Sequence, residues 1–180
     1  MGKRASSSPA ETLARREAFY ADMRKECAKR IKGLDPLAAE TCFNIVQTYH
    51  LGEALMAGRA KGAGLTLPGL NVLIILHQHN ADGCALNELS DLLIVSRANI
   101  TGLIDNLSRK GLVIREEHPQ DRRVVLARIT PKGESLLGGY MPAHFGTMSE
   151  MAASLTRNDR HDLIRILTKM RYGLLNLRKV

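Results

Sequence analysis

A change of period in the hydrophobic pattern near residue 112 most constrains how this chain can fold. Before that point apolar residues recur at helical spacing, as they do over residues 100–107. After it, residues 112–117 and 123–129 are rich in Val, Ile and Leu, and they flank a turn that contains Pro119. Two short β-rich runs around such a turn predict a β-hairpin that follows directly after a helix.

Capping residues mark where the helices before this hairpin begin. Thr66 predicts the N-terminus of a helix over about residues 67–79, and a turn leads from it into a short helix over about 87–93. Ser96 then begins a helix that extends to about Lys110 and ends at Gly111. The order of helix, short helix, helix and hairpin predicts a helix-turn-helix, whose second helix enters the major groove of DNA.

Helices are also predicted on both sides of this segment. Ser8-Pro9 and Asp35-Pro36 each begin one in the N-terminal part. Thr130-Pro131 begins another, which we expect to be interrupted near residues 138–142, and a last helix begins at Thr156. The last helix carries a coiled-coil-like seam, which fits packing within the chain or between two chains. The seam residues, predicted to serve dimerisation, are Leu163, Leu167, Met170, Leu174 and Leu177.

The helix that begins at Ser96 has a polar face that suits base recognition. Asn pairs with adenine and Arg with guanine through two hydrogen bonds, and the Ser96 hydroxyl can meet a phosphate. The hairpin adds Arg122, Arg123 and Arg128, with Lys132 just beyond, and arginine side chains suit a narrow minor groove. An ordinary solvated helix face is the alternative interpretation. The predicted DNA-binding residues are Ser96, Arg97, Ala98, Asn99, Thr101, Asn106, Arg109, Arg122 and Arg123.

Residues 65–133 resemble the MarR family of winged-helix regulators. The sequence VSRANITGLIDNL at 95–107 and KGLVIR at 110–115 is similar to that family's recognition helix and first wing strand. HPQDRR at 118–123 is similar to its Asp-x-Arg wing, and ITPKG at 129–133 to the start of its next helix. LTLP at 65–68 matches the usual lead-in. Outside this segment the resemblance extends only to the layout of the helices.

The resemblance implies a homodimer in which helices from both chain ends intertwine above two DNA-binding lobes. It implies that Arg123 enters the minor groove and that Asp121 stabilises the wing by holding this arginine. It also implies a pseudo-palindromic double-stranded operator and a small amphipathic or phenolic ligand. The expected regions are a flexible basic tail (1–7), N-terminal dimerisation helices (8–62), a winged helix-turn-helix (65–133) and C-terminal dimerisation helices (134–180).

Three features depart from the family pattern. Ile94 stands where the turn of the helix-turn-helix often has Gly, so we expect the turn to tolerate a side chain. Gly102 stands where many members have Arg, which removes a potential DNA contact. The segment before Asp35 is longer than the family minimum, and because residues 13–31 are amphipathic we expect it to pack on the dimerisation helices.

Composition supports a polyanionic partner and excludes several other classes of protein. The net charge is +8, from 26 basic and 18 acidic residues, and neutralising phosphates with basic residues releases counterions. No apolar run is long enough to cross a membrane, and the N-terminus has no apolar core typical of a signal peptide, so a cytoplasmic location is expected. No motif of a nucleophile elbow, phosphate loop or zinc protease occurs, which argues against an enzyme and against a cofactor.

Cysteine and histidine residues suggest two other functions. Cys42 aligns with the reactive cysteine of the family's hydroperoxide sensors, which makes a thiol-based redox sensor an alternative. Those sensors place tyrosines near the thiol, whereas the aligned positions here hold Val46, Met56 and Leu67, and this apolar setting predicts a buried, unreactive thiol. His77 and His79 point to different faces of one helix and cannot share a metal ion while helical, so no metal site is predicted.

The sequence therefore predicts a mainly α-helical protein with a small β-hairpin wing. The expected function is that of a homodimeric, sequence-specific DNA-binding transcription regulator, a repressor relieved by a small ligand. The alternative is a winged-helix module for protein interaction that lacks specific DNA binding.

Overall fold

The structure is a computed structural model that describes residues 8–79 and 83–177, with only the backbone described at Pro9 and Arg122. The flexible tail predicted for residues 1–7 lies outside this range. The chain divides into two compact units, one ending at Glu53 and the other beginning at Ala54.

The N-terminal unit contains α1 (Pro9–Arg30) and the first part of α2 (Pro36–Gly62). α1 begins with a capping box, because Ser8 and Glu11 each accept a hydrogen bond from the other's backbone N–H, at 3.2 and 2.7 Å. The two helices contact each other through an ion pair between Arg24 and Glu40 at 3.0 Å. The rings of Tyr20 and Phe43 also stack, with their centroids 5.7 Å apart. The N-terminal extension therefore packs on the helix that follows it.

The second unit holds the predicted helix-turn-helix and hairpin. Its elements after α2 are α3 (Leu67–Gln78), β1 (Cys84–Ala85), α4 (Leu86–Leu93), α5 (Arg97–Arg109), β2 (Val113–His118), β3 (Asp121–Ile129), α6 (Pro131–Met151) and α7 (Arg157–Leu177). The described residues thus form seven helices and one antiparallel sheet in the order β1-β3-β2. The predicted fold class is confirmed. β1, which pairs with β3 through Cys84 and Ala85, was not predicted because two residues cannot display a period.

The core of this unit lies between α3, α4, α5 and the sheet. α3 is buried on most sides, since Leu70, Val72, Leu73 and Leu76 are all fully inaccessible to solvent. Residues from the other elements close around it, which fixes α5 on the unit with one face inward. They are Ala60, Leu65, Cys84, Leu89, Ile100, Ile104, Leu107, Leu112, Val113, Ala127 and Leu137.

A junction between α5, β2 and α6 explains the sequence at residues 110–112 and 129–133. Gly111 takes the left-handed conformation (φ +69°) that ends α5. Thr130 caps α6 by accepting from the N–H of Gly133 at 3.1 Å, and its hydroxyl donates to the carbonyl of Gly111 at 2.8 Å. A side chain at Gly133 would collide with the carbonyl oxygen of Leu112 and lie 2.7 Å from Ile129 Cγ1. The junction therefore requires glycine at position 133.

The interruption predicted near residues 138–142 is wrong, because α6 continues from Pro131 to Met151. Pro142 removes a single backbone donor, which costs one hydrogen bond in the helix. On the same helix Leu137, His144 and Thr147 are buried on either side of the proline. Burial of these side chains on both sides of the break position favours one continuous helix.

The turn between α4 and α5 holds Ile94 in the left-handed conformation (φ 55°, ψ 41°). Ile94 is the one residue other than glycine with a positive φ among those the structure describes. Its side chain is 72% exposed, so the solvent accommodates it as expected from the sequence. The backbone is nevertheless strained, since this conformation costs a residue with a Cβ about 1–2 kcal/mol.

Replacing Ile94 by glycine should therefore stabilise the protein. The free energy gained by relieving the strain exceeds the free-energy cost of the extra backbone entropy that glycine loses on folding. We therefore expect the free energy of unfolding to rise by about 0.5–1 kcal/mol. Urea denaturation measures it. Leu92→Gly is the matched control, because Leu92 is 54% exposed on the neighbouring turn of α4 and has helical geometry, so glycine should destabilise there by about 1 kcal/mol. Destabilisation by both substitutions would contradict strain at Ile94.

No single helix among the described residues has the length and apolarity needed to cross a membrane, although α2 and α3 together, bent by 77°, meet that criterion by length and composition.

Candidate nucleic-acid interface

α5 presents its polar side chains to solvent because its apolar stripe is buried. Ile100, Ile104 and Leu107 are at most 2% exposed. Ser96 caps the helix by accepting from the backbone N–H of Asn99 at 3.3 Å. Ser96 is exposed, and the N–H groups and dipole of a helix N-terminus attract a phosphate. The exposed side chains predicted to bind DNA are those of Ser96, Arg97, Ala98, Asn99, Asn106 and Arg109, while Thr101 is partly buried.

Helical geometry divides this polar face into two edges. At about 100° per residue, Arg97 and Thr101 lie on one edge, and Asn99 and Asn106 lie on the other. Arg109 lies between them, at the C-terminal end of the helix. Thr101 donates its hydroxyl hydrogen to the carbonyl of Arg97 at 3.0 Å, so part of its bonding capacity is used within the helix.

The wing consists of β2 and β3 and places Arg123 near its tip. Asp121 accepts two bonds from the Arg123 guanidinium, from Nε at 3.0 Å and from Nη2 at 3.1 Å, and a third from the Arg123 backbone N–H at 3.1 Å. These hydrogen bonds hold the pKa of Asp121 below its usual value and raise the pKa of Arg123. The Arg123 side chain is 90% exposed, so it is oriented and yet accessible.

A cleft of about 420 Å³ joins one edge of α5 to the wing. Arg97 and Arg123 line it, and so does Arg115 of β2, which was not among the predicted site residues. Arg115 is also bound to Asp105 of α5, which links the wing strand to the helix. Three arginines around one cleft create a positive concavity that suits a phosphate backbone. Arg115 lies two residues after Val113, which is buried. Because side chains two residues apart in a strand point to the same face, this spacing is the sequence signal that could have identified Arg115.

Two other basic residues near the hairpin have structural partners. Arg128 is bound to Glu116 on the adjacent strand at 2.6 Å. Lys132 donates to the carbonyl of Lys110 at 2.7 Å and so satisfies the end of α5. The side chain of Arg122 lies outside the described residues. Of the basic side chains that the structure describes in the hairpin and just beyond it, Arg115 and Arg123 are the ones that line the cleft.

The seam predicted on the last helix lies in α7, none of whose described residues is buried. Leu163, Leu174 and Leu177 are 44%, 50% and 72% exposed. Leu167 and Met170 are partly buried. Within the single chain the seam is therefore largely uncovered.

The burial predicted for Cys42 is wrong, because this residue is exposed in the single chain. It lies on α2, and of the apolar residues that suggested burial Val46 is 50% exposed, whereas Met56 is buried. The buried cysteine is Cys84, which is 1% exposed. The two histidines at the end of α3 have separate partners, since His77 contacts Glu134 at 2.8 Å and His79 contacts Glu88 at 3.9 Å.

The sequence model of the MarR family matches residues 65–125, which include the helix-turn-helix, β2 and the beginning of β3. Over these residues the chain belongs to the MarR family. The elements that the match covers are those that build the cleft and the exposed face of α5. This membership confirms the prediction of a DNA-binding transcription regulator and not an enzyme.

Two curated relatives of this chain are named as transcription regulators. The chain is 29% identical to the HTH-type transcriptional repressor YetL of Bacillus subtilis, over 66% of this chain and 68% of the relative. It is 35% identical to the HTH-type transcriptional regulator MhqR of the same organism, over 53% of this chain and 65% of the relative. These alignments span about two thirds of each relative's length.

Solved structures share the fold of this chain. Sco3205, a MarR family regulator from Streptomyces coelicolor solved in complex with DNA, superposes with a TM-score of 0.74 at 21% identity, covering 78% of this chain and 93% of that one. BpsR from Bordetella bronchiseptica, whose DNA binding is regulated by 6-hydroxynicotinic acid, superposes with a TM-score of 0.67 at 23% identity, covering 73% and 98%.

Proposed function

We propose that this MarR-family regulator binds a pseudo-palindromic operator as a homodimer and represses transcription from it. The observation that carries the proposal is the cleft lined by Arg97, Arg115 and Arg123 beside the exposed face of α5. A helix of this polarity fits the major groove, while the neighbouring wing directs an exposed arginine toward the adjacent minor groove. The relative YetL is a repressor by name, and the relative Sco3205 has been solved with DNA. A regulator of promoter DNA acts where the chromosome lies, which supports a cytoplasmic location.

Uncovered apolar side chains on α7 support the homodimer. Monomeric proteins rarely expose a contiguous apolar stripe along a helix, because covering it with a partner removes apolar area from water. A second copy of the chain presents the same seam, so a two-fold interface buries both. A dimer with two lobes would read half-sites roughly 34–36 Å apart. We propose that α1 and α2, on which Phe19 and Tyr49 are 65% and 59% exposed, also take part.

Replacing Leu174 by glutamate should dissociate the homodimer. Each copy loses a buried leucine, worth about 1.5–3 kcal/mol, so the dimer dissociation constant should rise roughly 100-fold or more. Sedimentation velocity across a concentration series measures this constant. Asn176→Glu introduces the same charge two residues away, off the seam, and should leave the constant within a fewfold of the original. Equal dissociation by both substitutions would argue against the seam as the interface.

Asn99 is proposed to read a base from the edge of α5 opposite the wing. Replacing it by alanine should reduce discrimination between operator and random DNA by about 1–3 kcal/mol per half-site, while binding to random DNA stays nearly unchanged. Fluorescence anisotropy with both duplexes measures the two affinities. Asn176→Ala is the control outside the helix-turn-helix. A parallel loss on both duplexes would show that Asn99 positions the protein and does not specify sequence.

Binding of the purified chain to its own upstream intergenic DNA tests the proposed function directly. We expect one dimer per duplex and an affinity at least 10³-fold higher than for a random duplex at the same salt concentration. Salt-sensitive binding without preference would reduce the proposal to nonspecific charge attraction. No binding to either duplex would overturn it.

We further propose that a small amphipathic or phenolic ligand relieves repression. The support is the family resemblance, together with the regulation of BpsR by 6-hydroxynicotinic acid. A ligand achieves this only by binding more tightly to a conformation that does not fit the operator. Addition of an effective ligand should therefore weaken operator binding, and operator DNA should weaken ligand binding by the same factor.

A further inference from the structure

Three side chains with different metal-binding atoms meet where α3 ends and α4 begins. His79 is the C-cap residue of α3, Cys84 lies in β1, and Glu88 lies in the first turn of α4. The imidazole nitrogen, the thiol sulfur and a carboxylate oxygen all lie within 4.8 Å of one another. His79 Nε2 and Glu88 Oε1 are 3.9 Å apart. Three separate elements thus bring nitrogen, sulfur and oxygen atoms to one point.

We propose that His79, Cys84 and Glu88 form a binding site for a divalent transition-metal ion, with Zn²⁺ as the best match. Zinc is bound in proteins by imidazole, thiolate and carboxylate, usually in tetrahedral geometry. The two negative charges of a thiolate and a carboxylate neutralise the ion, which suits a site closed on one side by the core. Three protein ligands leave the fourth position to water.

The geometry needs only a small adjustment to hold the ion. Tetrahedral zinc with ordinary bond lengths places sulfur and nitrogen about 3.6 Å apart, so the atoms must approach by about 1 Å. Cys84 is fixed, since it is buried and its backbone pairs with Ala127 of β3. His79 and Glu88 have side chains that are 31% and 51% exposed, so they have room to rotate toward it. The ion would enter from this solvent side.

Metal binding must displace the proton of the Cys84 thiol. Burial and the neighbouring Glu88 carboxylate raise the pKa of this thiol to about 12, so it is protonated at neutral pH when no ion is bound. On binding, the S–H bond breaks, its proton passes to solvent and a sulfur–metal bond forms, with no electron transferred. A protonated, buried thiol is also protected from oxidation, which leaves it available as a ligand.

A bound ion would connect the end of α3 and the start of α4 to the inner strand of the wing. β1 pairs with β3 through Cys84 and Ala85, and β3 continues toward Arg123. The ion would therefore stabilise the folded helix-turn-helix relative to the unfolded chain. The site is argued from its own three ligands and does not depend on the proposed operator binding.

Titration of the full chain with Co²⁺, a spectroscopic substitute for Zn²⁺, tests the site. We expect a sulfur-to-cobalt charge-transfer absorption that saturates at one ion per chain and is abolished by Zn²⁺. Cys84→Ser should lose this absorption, whereas Cys42→Ser and Cys27→Ser should keep it. His79→Gln and Glu88→Gln should each weaken Zn²⁺ binding at least tenfold, measured by competition with a chromophoric chelator. His77→Gln is the matched control and should bind like the original chain.

Several outcomes would overturn the proposal. They are the absence of a thiolate absorption in the original chain, its persistence in Cys84→Ser, and unchanged Zn²⁺ affinity in either His79→Gln or Glu88→Gln. Circular dichroism shows whether Cys84→Ser still folds, because Cys84 belongs to the core. If it does not fold, the two variants at partly exposed positions decide the matter alone.

Discussion

Replacement of Arg123 by alanine should weaken binding to operator and random DNA alike. We expect a loss of roughly tenfold or more near 0.1 M salt, and a slope of log affinity against log salt that is shallower by about 1 per subunit. The reason is that a side chain placed in the minor groove responds to phosphate charge and groove potential, which are largely independent of base identity. Fluorescence anisotropy at several salt concentrations measures both quantities.

Arg123 is suited to this role because it is 90% exposed and yet held by Asp121 at three points. Orientation by Asp121 lowers the conformational entropy that the arginine would lose on binding DNA. The control is Arg157→Ala, which removes the same charge from the start of α7, outside the helix-turn-helix and the wing. If both substitutions changed affinity and salt slope equally, general charge attraction would account for the effect and the wing would have no special part.

Replacement of Gly133 by alanine should be strongly destabilising. The new Cβ would collide with the carbonyl oxygen of Leu112, a backbone atom that cannot move without disturbing the start of β2. Overpacking of this kind typically costs 1–3 kcal/mol, and because the obstacle is backbone we expect about 3 kcal/mol. For a chain of this size that loss lowers Tm by roughly 6–12 °C, which thermal denaturation followed by circular dichroism measures.

The same helix supplies the matched control for this prediction. A Cβ at Gly138 of α6 would have no atom within 4 Å, so Gly138→Ala should stabilise the helix by up to about 1 kcal/mol. Opposite signs for two identical chemical changes on one helix would confirm that the contact with Leu112 decides the result. Equal effects at Gly133 and Gly138 would contradict the close approach.

Much of the DNA-binding unit could be predicted because its signals are local. Thr66, Ser96 and Thr130 each accept a bond from a backbone N–H three residues later, a contact that can be recognised from sequence spacing alone. The change from helical to strand period likewise reports which face of each element is buried. The polar face of α5 and the exposed wing arginine followed from these signals and from the family resemblance.

Contacts between side chains of different elements could not be predicted in this way. The pairing of Arg115 with Asp105 and the meeting of His79, Cys84 and Glu88 depend on how helices and strands pack. The prediction of a buried Cys42 failed for a related reason. Apolar residues such as Val46 on the same helix indicate burial only if another element covers that face, and Cys42 is exposed in the single chain.

By itself, the sequence determined the order of the elements, the points where most of the helices start and end, and the match of residues 65–125 to the MarR family. These properties depend on hydrogen bonds and side-chain periods that act within a few residues. The tertiary structure alone decided that α6 continues past Pro142, that Gly133 admits no side chain, and that three arginines share one cleft. Each of these depends on burial or contact between segments far apart in the chain, where packing outweighs the weak local preference of a single residue.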